Sequence, residues 1–184
     1  YGGGFYINGS STKFILNGAD KSGGGKTISI QNNKNEYSST AYGGGIYING
    51  GTSKFTNCSI ISNTVSVKAT GSPIATGSSR GGGAYINGGT NTFNSCNVTG
   101  NDCTGSGGIK LYFGGGIYIN GGTNTMIGTM NITGNSSGNN GKNLYIVGAK
   151  TIALSSDSES LSTSSNIGIL TSNTPDLSTS IQFA

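Results

Sequence analysis

The sequence predicts an all-β fold, a single-stranded parallel β-helix of about five to six coils with loops inserted at one corner. A Gly-Gly-Gly-x-Tyr-Ile-Asn-Gly element occurs four times along the chain. Its apolar residues alternate with period two, the spacing that places every second side chain on one face of a strand. No window carries the 3.6-residue period of a helix, and glycine, a poor helix former, recurs throughout.

The element at 2–9 returns at 43–50, 81–88 and 114–121, with starts 41, 38 and 33 residues apart. Repetition at such a period is the signature of stacked repeat architectures. Within each repeat, Ile46-Tyr47-Ile48 and its equivalents read as the first strand, followed by a Gly-Gly turn. Lys54-Phe55 begins a second strand and Ser59-Ile60-Ile61 a third, which ends at Asn63, with Asn101 and Asn135 as counterparts. The segments 64–80 and 102–113 vary in length, with 19–42 as their counterpart in the first repeat. Each repeat is therefore a constant body of roughly twenty residues plus one loop at a fixed corner.

Stacking coils ~4.8 Å apart sets like residue over like. Ile7, Ile48, Ile86, Ile119 and Ile146 form one inward column, and Phe5, Ile46, Ala84, Ile117 and Leu144 its neighbour. Phe14, Phe55, Phe93 and Met126 fill the opposite wall. Asn8, Asn49, Asn87 and Asn120 fall at the turn, where stacked amides hydrogen-bond between coils. Tyr6, Tyr47, Tyr85, Tyr118 and Tyr145 face the other way and are expected as an external aromatic column for binding or assembly. One coil cannot bury its own apolar face; a stack builds a continuous core. Four repeats occupy 1–140, and 141–184 reads as degenerate C-terminal coils, with Asn143-Leu144-Tyr145-Ile146-Val147, Lys150-Thr151-Ile152-Ala153-Leu154 and Asn166-Ile167-Gly168-Ile169-Leu170 as strands.

Only 9% of the 184 residues are charged, with a net charge of +4 that is dispersed along the chain. Without a basic run or interleaved aromatics, a nucleic-acid partner is not expected. No stretch approaches the ~20 apolar residues of a membrane-spanning helix. The chain starts at Tyr1 and reads as an excerpt or a processed product. Histidine is absent, so a Ser-His-Asp triad is excluded. The carboxylates Asp20, Glu36 and Asp102 fall in the corner loops, and Asp157, Glu159 and Asp176 in the tail. None lies in a repeated strand, which argues against the clustered carboxylates of polysaccharide cleavage. A non-enzymatic protein with no cofactor and no metal is predicted.

Cys58 and Cys96 share one repeat position, fifteen residues after the first glycine, and are a candidate disulfide across adjacent coils; the alternatives are an unbonded inward pair, or pairing of Cys96 with Cys103 in the nearby loop. Asn-x-Ser/Thr sequons, candidates for glycosylation, occur at Asn8, Asn57, Asn97, Asn131 and Asn135. Thr90-Asn91-Thr92 is expected over Thr123-Asn124-Thr125, with Ser11-Thr12-Lys13 and Thr52-Ser53-Lys54 in the other coils.

The Gly44-Gly45-Ile46 element and its equivalents, followed by Phe and Asn, resemble the repeats of polymorphic outer membrane protein-type adhesins over about residues 1–170. The second half of that pattern is looser, because Phe93-Asn94-Ser95-Cys96-Asn97 lacks Asn at the family's Phe-x-x-Asn place. The resemblance implies a right-handed β-helix that is secreted and displayed at the cell surface, where it adheres or builds a coat. The family's membrane barrel has no counterpart in these residues. The partners expected are neighbouring coils, further copies through open coil ends, a host surface, or a polysaccharide held by the tyrosines.

Overall fold

A computed structural model describes residues 1–18, 27–68, 76–107, 109–138, 141–148, 150, 152–155 and 160–171. The alternating Ile-Tyr-Ile segments are strands, and each pairs with its equivalent in the next repeat. A first sheet of six runs in chain order through Phe5–Ile7, Ile46–Ile48, Ala84–Ile86, Ile117–Ile119, Leu144–Ile146 and Ile169–Thr171. A second holds Lys13–Asn17, Thr52–Thr56, Thr90–Asn94, Thr123–Ile127 and Ile152–Ala153. A third holds Ile28–Gln31, Cys58–Ile61, Asn97–Thr99, Asn131–Thr133 and Asn166–Ile167. Each strand of these sheets pairs in parallel with the strand one repeat away, as stacked rungs. No helix occurs among the described residues.

Among the described residues the varying segments also contribute strands, where only loops were expected. Lys34–Tyr37, Thr64–Lys68, Asp102–Ser106 and Ser136–Ser137 form a fourth parallel sheet; Thr40–Tyr42, Thr76–Arg80 and Ile109–Phe113 form a fifth. Glu36 and Asp102 accordingly sit in strands that recur between rungs, a correction to their expected place in loops. Sequence patterning missed them because the segments are polar and their lengths differ. What brings them together is backbone pairing, which is indifferent to side chains.

The predicted inward columns are present. Ile7, Ile48, Ile86, Ile119 and Ile146 stack in register, as do Phe5, Ile46, Ala84, Ile117 and Leu144. Ile46, Ile48, Phe55, Phe93 and Ile117 have no exposed surface. At about 1.5–3 kcal/mol for each large aliphatic or aromatic side chain buried, these columns are the main stabilising term. One register differs. Phe55 stacks on Phe93 and Met126, but its partner in the first rung is Leu16, and Phe14 lies opposite Ser53. The first-rung turn after Asn8 is two residues longer, closed by Thr12 Oγ1 donating to the Asn8 carbonyl at 2.6 Å. Lys13-Phe14-Ile15 therefore occupies the place expected for Ser11-Thr12-Lys13, whereas the other three Thr/Ser segments stack as expected.

Two asparagine ladders run along the stack. In the expected one, Asn49, Asn87 and Asn120 each donate Nδ2 to Oδ1 of the preceding residue, at 2.9, 2.7 and 2.8 Å. The other is buried and involves Asn33, Asn63, Asn101, Asn135 and Asn143. Asn101 Oδ1 accepts from both Nδ2 (3.0 Å) and the amide N–H (2.9 Å) of Asn63, while Asn101 Nδ2 donates to Asn135 Oδ1 and the Ile60 carbonyl. Each side chain thus satisfies backbone groups that a corner would otherwise leave buried and unpaired. Beside this ladder the middle glycine of each triplet packs on neighbouring backbone. A Cβ on Gly82 collides with the Gly115 carbonyl oxygen and the Asp102 backbone, whereas one on Gly134 meets nothing.

Replacing Asn101 by Leu is expected to cost about 3 kcal/mol, because several buried partners lose their bonds together. Asn87→Ala, in the more exposed ladder, should cost under about 1 kcal/mol. Urea midpoints of the two variants test the order. Gly82→Ala should abolish cooperative folding, while Gly134→Ala should cost about 1 kcal/mol, the strain of its left-handed φ of 63°. Thermal melts distinguish the two.

Candidate functional site

The tyrosines do point away from the aliphatic core, as period two requires, and they stack at 5.1–5.3 Å between ring centroids from Tyr6 through Tyr145. They are not an external column. Tyr47, Tyr85, Tyr118 and Tyr145 are 6%, 3%, 5% and 8% exposed and form a second apolar cluster with Tyr42, Phe113 and Val147. Only Tyr6, at 50%, is open to solvent.

The covering residues come from the end of the fifth sheet. Tyr42, Arg80 and Phe113 stand in register, each immediately before a glycine triplet. Arg80 lies between its neighbours, 5.8 Å from the Tyr42 ring and 6.0 Å from Phe113, and also 5.7 Å from Tyr118. Tyr1 occupies the same position before the first triplet and stacks on Tyr42 at 5.9 Å with rings 8° apart. The missed signal was in the sequence: a large planar group, Tyr, Tyr, Arg or Phe, precedes all four triplets. Guanidinium and ring faces attract, so one arginine fits an aromatic stack. Burial raises the Tyr47 hydroxyl to about 12 and shifts Tyr85 and Tyr118 in the same direction.

Among the described residues most of the large apolar side chains that remain exposed lie at the first rung, Leu111 of the fifth sheet being the exception. Tyr1 (71%), Tyr6, Phe5, Ile15 and Tyr37 are all large apolar residues open to solvent there. The first-rung strand is also the outer strand of every one of the five sheets. Tyr1 and Tyr6 face each other at 5.7 Å, nearly parallel at 17°. The candidate site thus contracts from a five-residue column to an aromatic pair beside an apolar edge.

The other expected site residues separate by burial. Among the sequons, Asn8 is exposed and Asn57, Asn97 and Asn131 are half-buried. Asn97 and Asn131 form a further rung-to-rung pair, Asn131 Nδ2 donating to Asn97 Oδ1 at 2.7 Å. Asn135 is corrected: it is 6% exposed and its Nδ2 donates to Val98 and Asn143 inside the buried ladder, which leaves no space for a glycan. Cys58, Cys96 and Cys103 are free, buried thiols. Cys58 and Cys96 lie opposite each other on adjacent rungs, as their shared repeat position requires. Glu36 is tied to Lys34 at 2.8 Å and Lys68 at 2.7 Å, and these partners, Lys34 foremost, hold its carboxyl below the usual range. Asp20, Asp157, Glu159 and Asp176 lie outside the described residues. Among the described residues no cluster of His, Cys, Asp or Glu has the makings of a metal site, and no helix is long and apolar enough to cross a membrane.

Comparison with protein-family models, with curated proteins and with solved structures finds no match to this chain.

The tyrosine burial sets an alkaline limit. Because the folded pKa lies above the unfolded value of 10.0, stability is held below pH 10 and falls as pH rises through about 12. Tyrosinate absorbance should therefore rise in two stages, exposed rings first and the buried ones together with loss of β circular dichroism. If the protein is glycosylated, Asn8→Gln should lower its mass by one glycan, whereas Asn135→Gln should leave the glycan mass unchanged.

Proposed function

We propose that this protein is a right-handed parallel β-helix that serves outside the cell as a non-enzymatic structural and adhesive element of the surface. One observation carries the reading: the repeated chemistry-bearing side chains are used up within the molecule. The tyrosines pack against Tyr42, Arg80 and Phe113, the asparagines bond to one another, and Glu36 is paired with lysines. What such a stack offers a partner is its rim. Tyr1 and Tyr6 present near-parallel rings with apolar residues around them, a surface suited to the apolar faces of sugar rings. Low charge and many hydroxyl and amide side chains suit a surface facing water and glycans.

Immobilised protein should retain a polysaccharide panel or bind cells, and Tyr1→Ala/Tyr6→Ala should lose most of that retention while keeping its melting temperature within a few degrees. An unchanged binding profile in the double variant sinks the adhesive role of the rim. A second reading, head-to-tail assembly into filaments, is favoured by the coincidence of five outer strands with exposed Phe5, Ile15 and Tyr37. It predicts regular filaments by electron microscopy; monomers alone in sedimentation at high concentration would refute it.

A further inference from the structure

Tyr6, Tyr47, Tyr85, Tyr118 and Tyr145 form one unbroken file of phenol rings along the stack, with centroids 5.3, 5.2, 5.1 and 5.3 Å apart. A second route joins it from Tyr1, which lies 5.9 Å from Tyr42, itself 4.6 Å from Tyr85. Both routes meet at Tyr85. Among the described residues this ring is the one phenol in contact both with Tyr118 and with the phenols nearer the first rung, Tyr42 and Tyr47. Rings stacked at this distance are in van der Waals contact, close enough for an electron to pass between them without a covalent path.

Tyrosine is also where a one-electron oxidant would act on this chain. There is no tryptophan and no histidine. Cys58, Cys96, Cys103, Met126 and Met130 are at most 2% exposed, which shields the sulfurs, whose oxidation follows exposure. The column phenols keep an outlet to water. Tyr47, Tyr85, Tyr118 and Tyr145 retain 3–8% exposure, and the buried side-chain atoms without a partner among the described residues are Ser53 Oγ, Arg80 Nε and Asn91 Oδ1, not phenol oxygens.

We propose that this file of phenols is a conduit for one-electron oxidation, which delivers a phenoxyl radical to Tyr1 and Tyr6 and there couples two copies of the chain through a tyrosine–tyrosine bond. An oxidant stronger than the phenoxyl–phenol couple takes an electron from one ring, and the hydroxyl proton of that ring goes to water. At each hop the phenoxyl gains an electron from the adjoining ring and a proton from water, while the donor ring releases its own proton. Inside the column the radical meets no second radical. At the first rung Tyr1 is 71% and Tyr6 50% exposed, so there it can meet a phenoxyl of another copy. The carbons ortho to the two oxygens form the new bond; their hydrogens leave as protons, and each oxygen takes one up again. In sum, two phenols lose two protons to water and two electrons to two equivalents of the oxidant. Coupling is irreversible, and this draws the radical toward the open end.

The test starts the radical at the far end. A ruthenium polypyridyl photo-oxidant is attached through Lys150→Cys, an exposed position on the rung of Tyr145, while the native thiols are buried. Tyr37→Phe is carried throughout, because Tyr37 is 60% exposed and outside the column. Flash excitation with a soluble electron acceptor should give dimers that persist on denaturing gels, joined at Tyr1 or Tyr6 by peptide mass spectrometry. Tyr85→Phe keeps the ring and removes the phenol. It should hold its melting temperature within a few degrees, lose most of those dimers and leave oxidation on Tyr118 and Tyr145. Tyr118→Phe cuts the same path one ring nearer the label and should behave alike, so the test stands even if one variant fails to fold. Undiminished coupling at Tyr1 and Tyr6 in a folded variant of either kind would overturn the proposal. So would oxidation confined to Tyr145, with no such dimers, when the column is intact.

Discussion

In-register parallel pairing is the constraint on which the rest of this structure depends. Each strand of the first three sheets meets its own equivalent one rung away, so any side chain placed in the repeat is multiplied into a column. Such a rule favours some residues and penalises others. Ile48, Ile86 and Ile119 stack on one another and bury completely. Amides are self-complementary, each side chain being donor and acceptor, so asparagine columns bond without end. Like charges stacked directly would repel, and the chain is correspondingly poor in them. Where charge does occur, as at Lys34, Glu36 and Lys68, opposite signs are brought together, Lys34 with Glu36 along one strand and Lys68 with Glu36 across to the next.

The same rule builds a second core on the far side of the first sheet. Tyrosines would stack there whether or not anything covered them. They are buried because, after Asn33, Asn63 and Asn101, the chain passes through the fourth sheet and then the fifth. Its last residue before the glycine triplet is then set against the tyrosine column. The triplet is what permits this close return: Gly44, Gly82 and Gly115 leave no space for a Cβ against the adjoining backbone. An aromatic ladder with the look of a binding surface is therefore structural over most of its length, and accessible aromatic chemistry is confined to the first rung.

The columns of the first sheet, the turn asparagines and the Phe55–Phe93–Met126 wall were legible as sequence because their spacing within the repeat is constant. The misplacement of Phe14 has a simple cause: counting from the glycines ignores two extra turn residues, whereas pairing follows the backbone and seats Leu16 on Phe55. The interior asparagine ladder was half visible, since Asn63, Asn101 and Asn135 end their strands in the sequence. Its burial, which excludes Asn135 as a glycan site, was not visible there. The column of Tyr1, Tyr42, Arg80 and Phe113 escaped notice because its members share planarity and not a residue type.

The sequence by itself determined which residues of the first sheet stack on which, because parallel in-register pairing converts a repeat position directly into a column. It also settled the all-β character, since its glycine content and period-two patterning leave no helix to form. Only the tertiary structure decided which face of each column meets solvent. The reason is that exposure of the tyrosines depends on how polar segments of unequal length dock across the first sheet, and that docking rests on backbone bonds and a few planar side chains that leave no periodic mark.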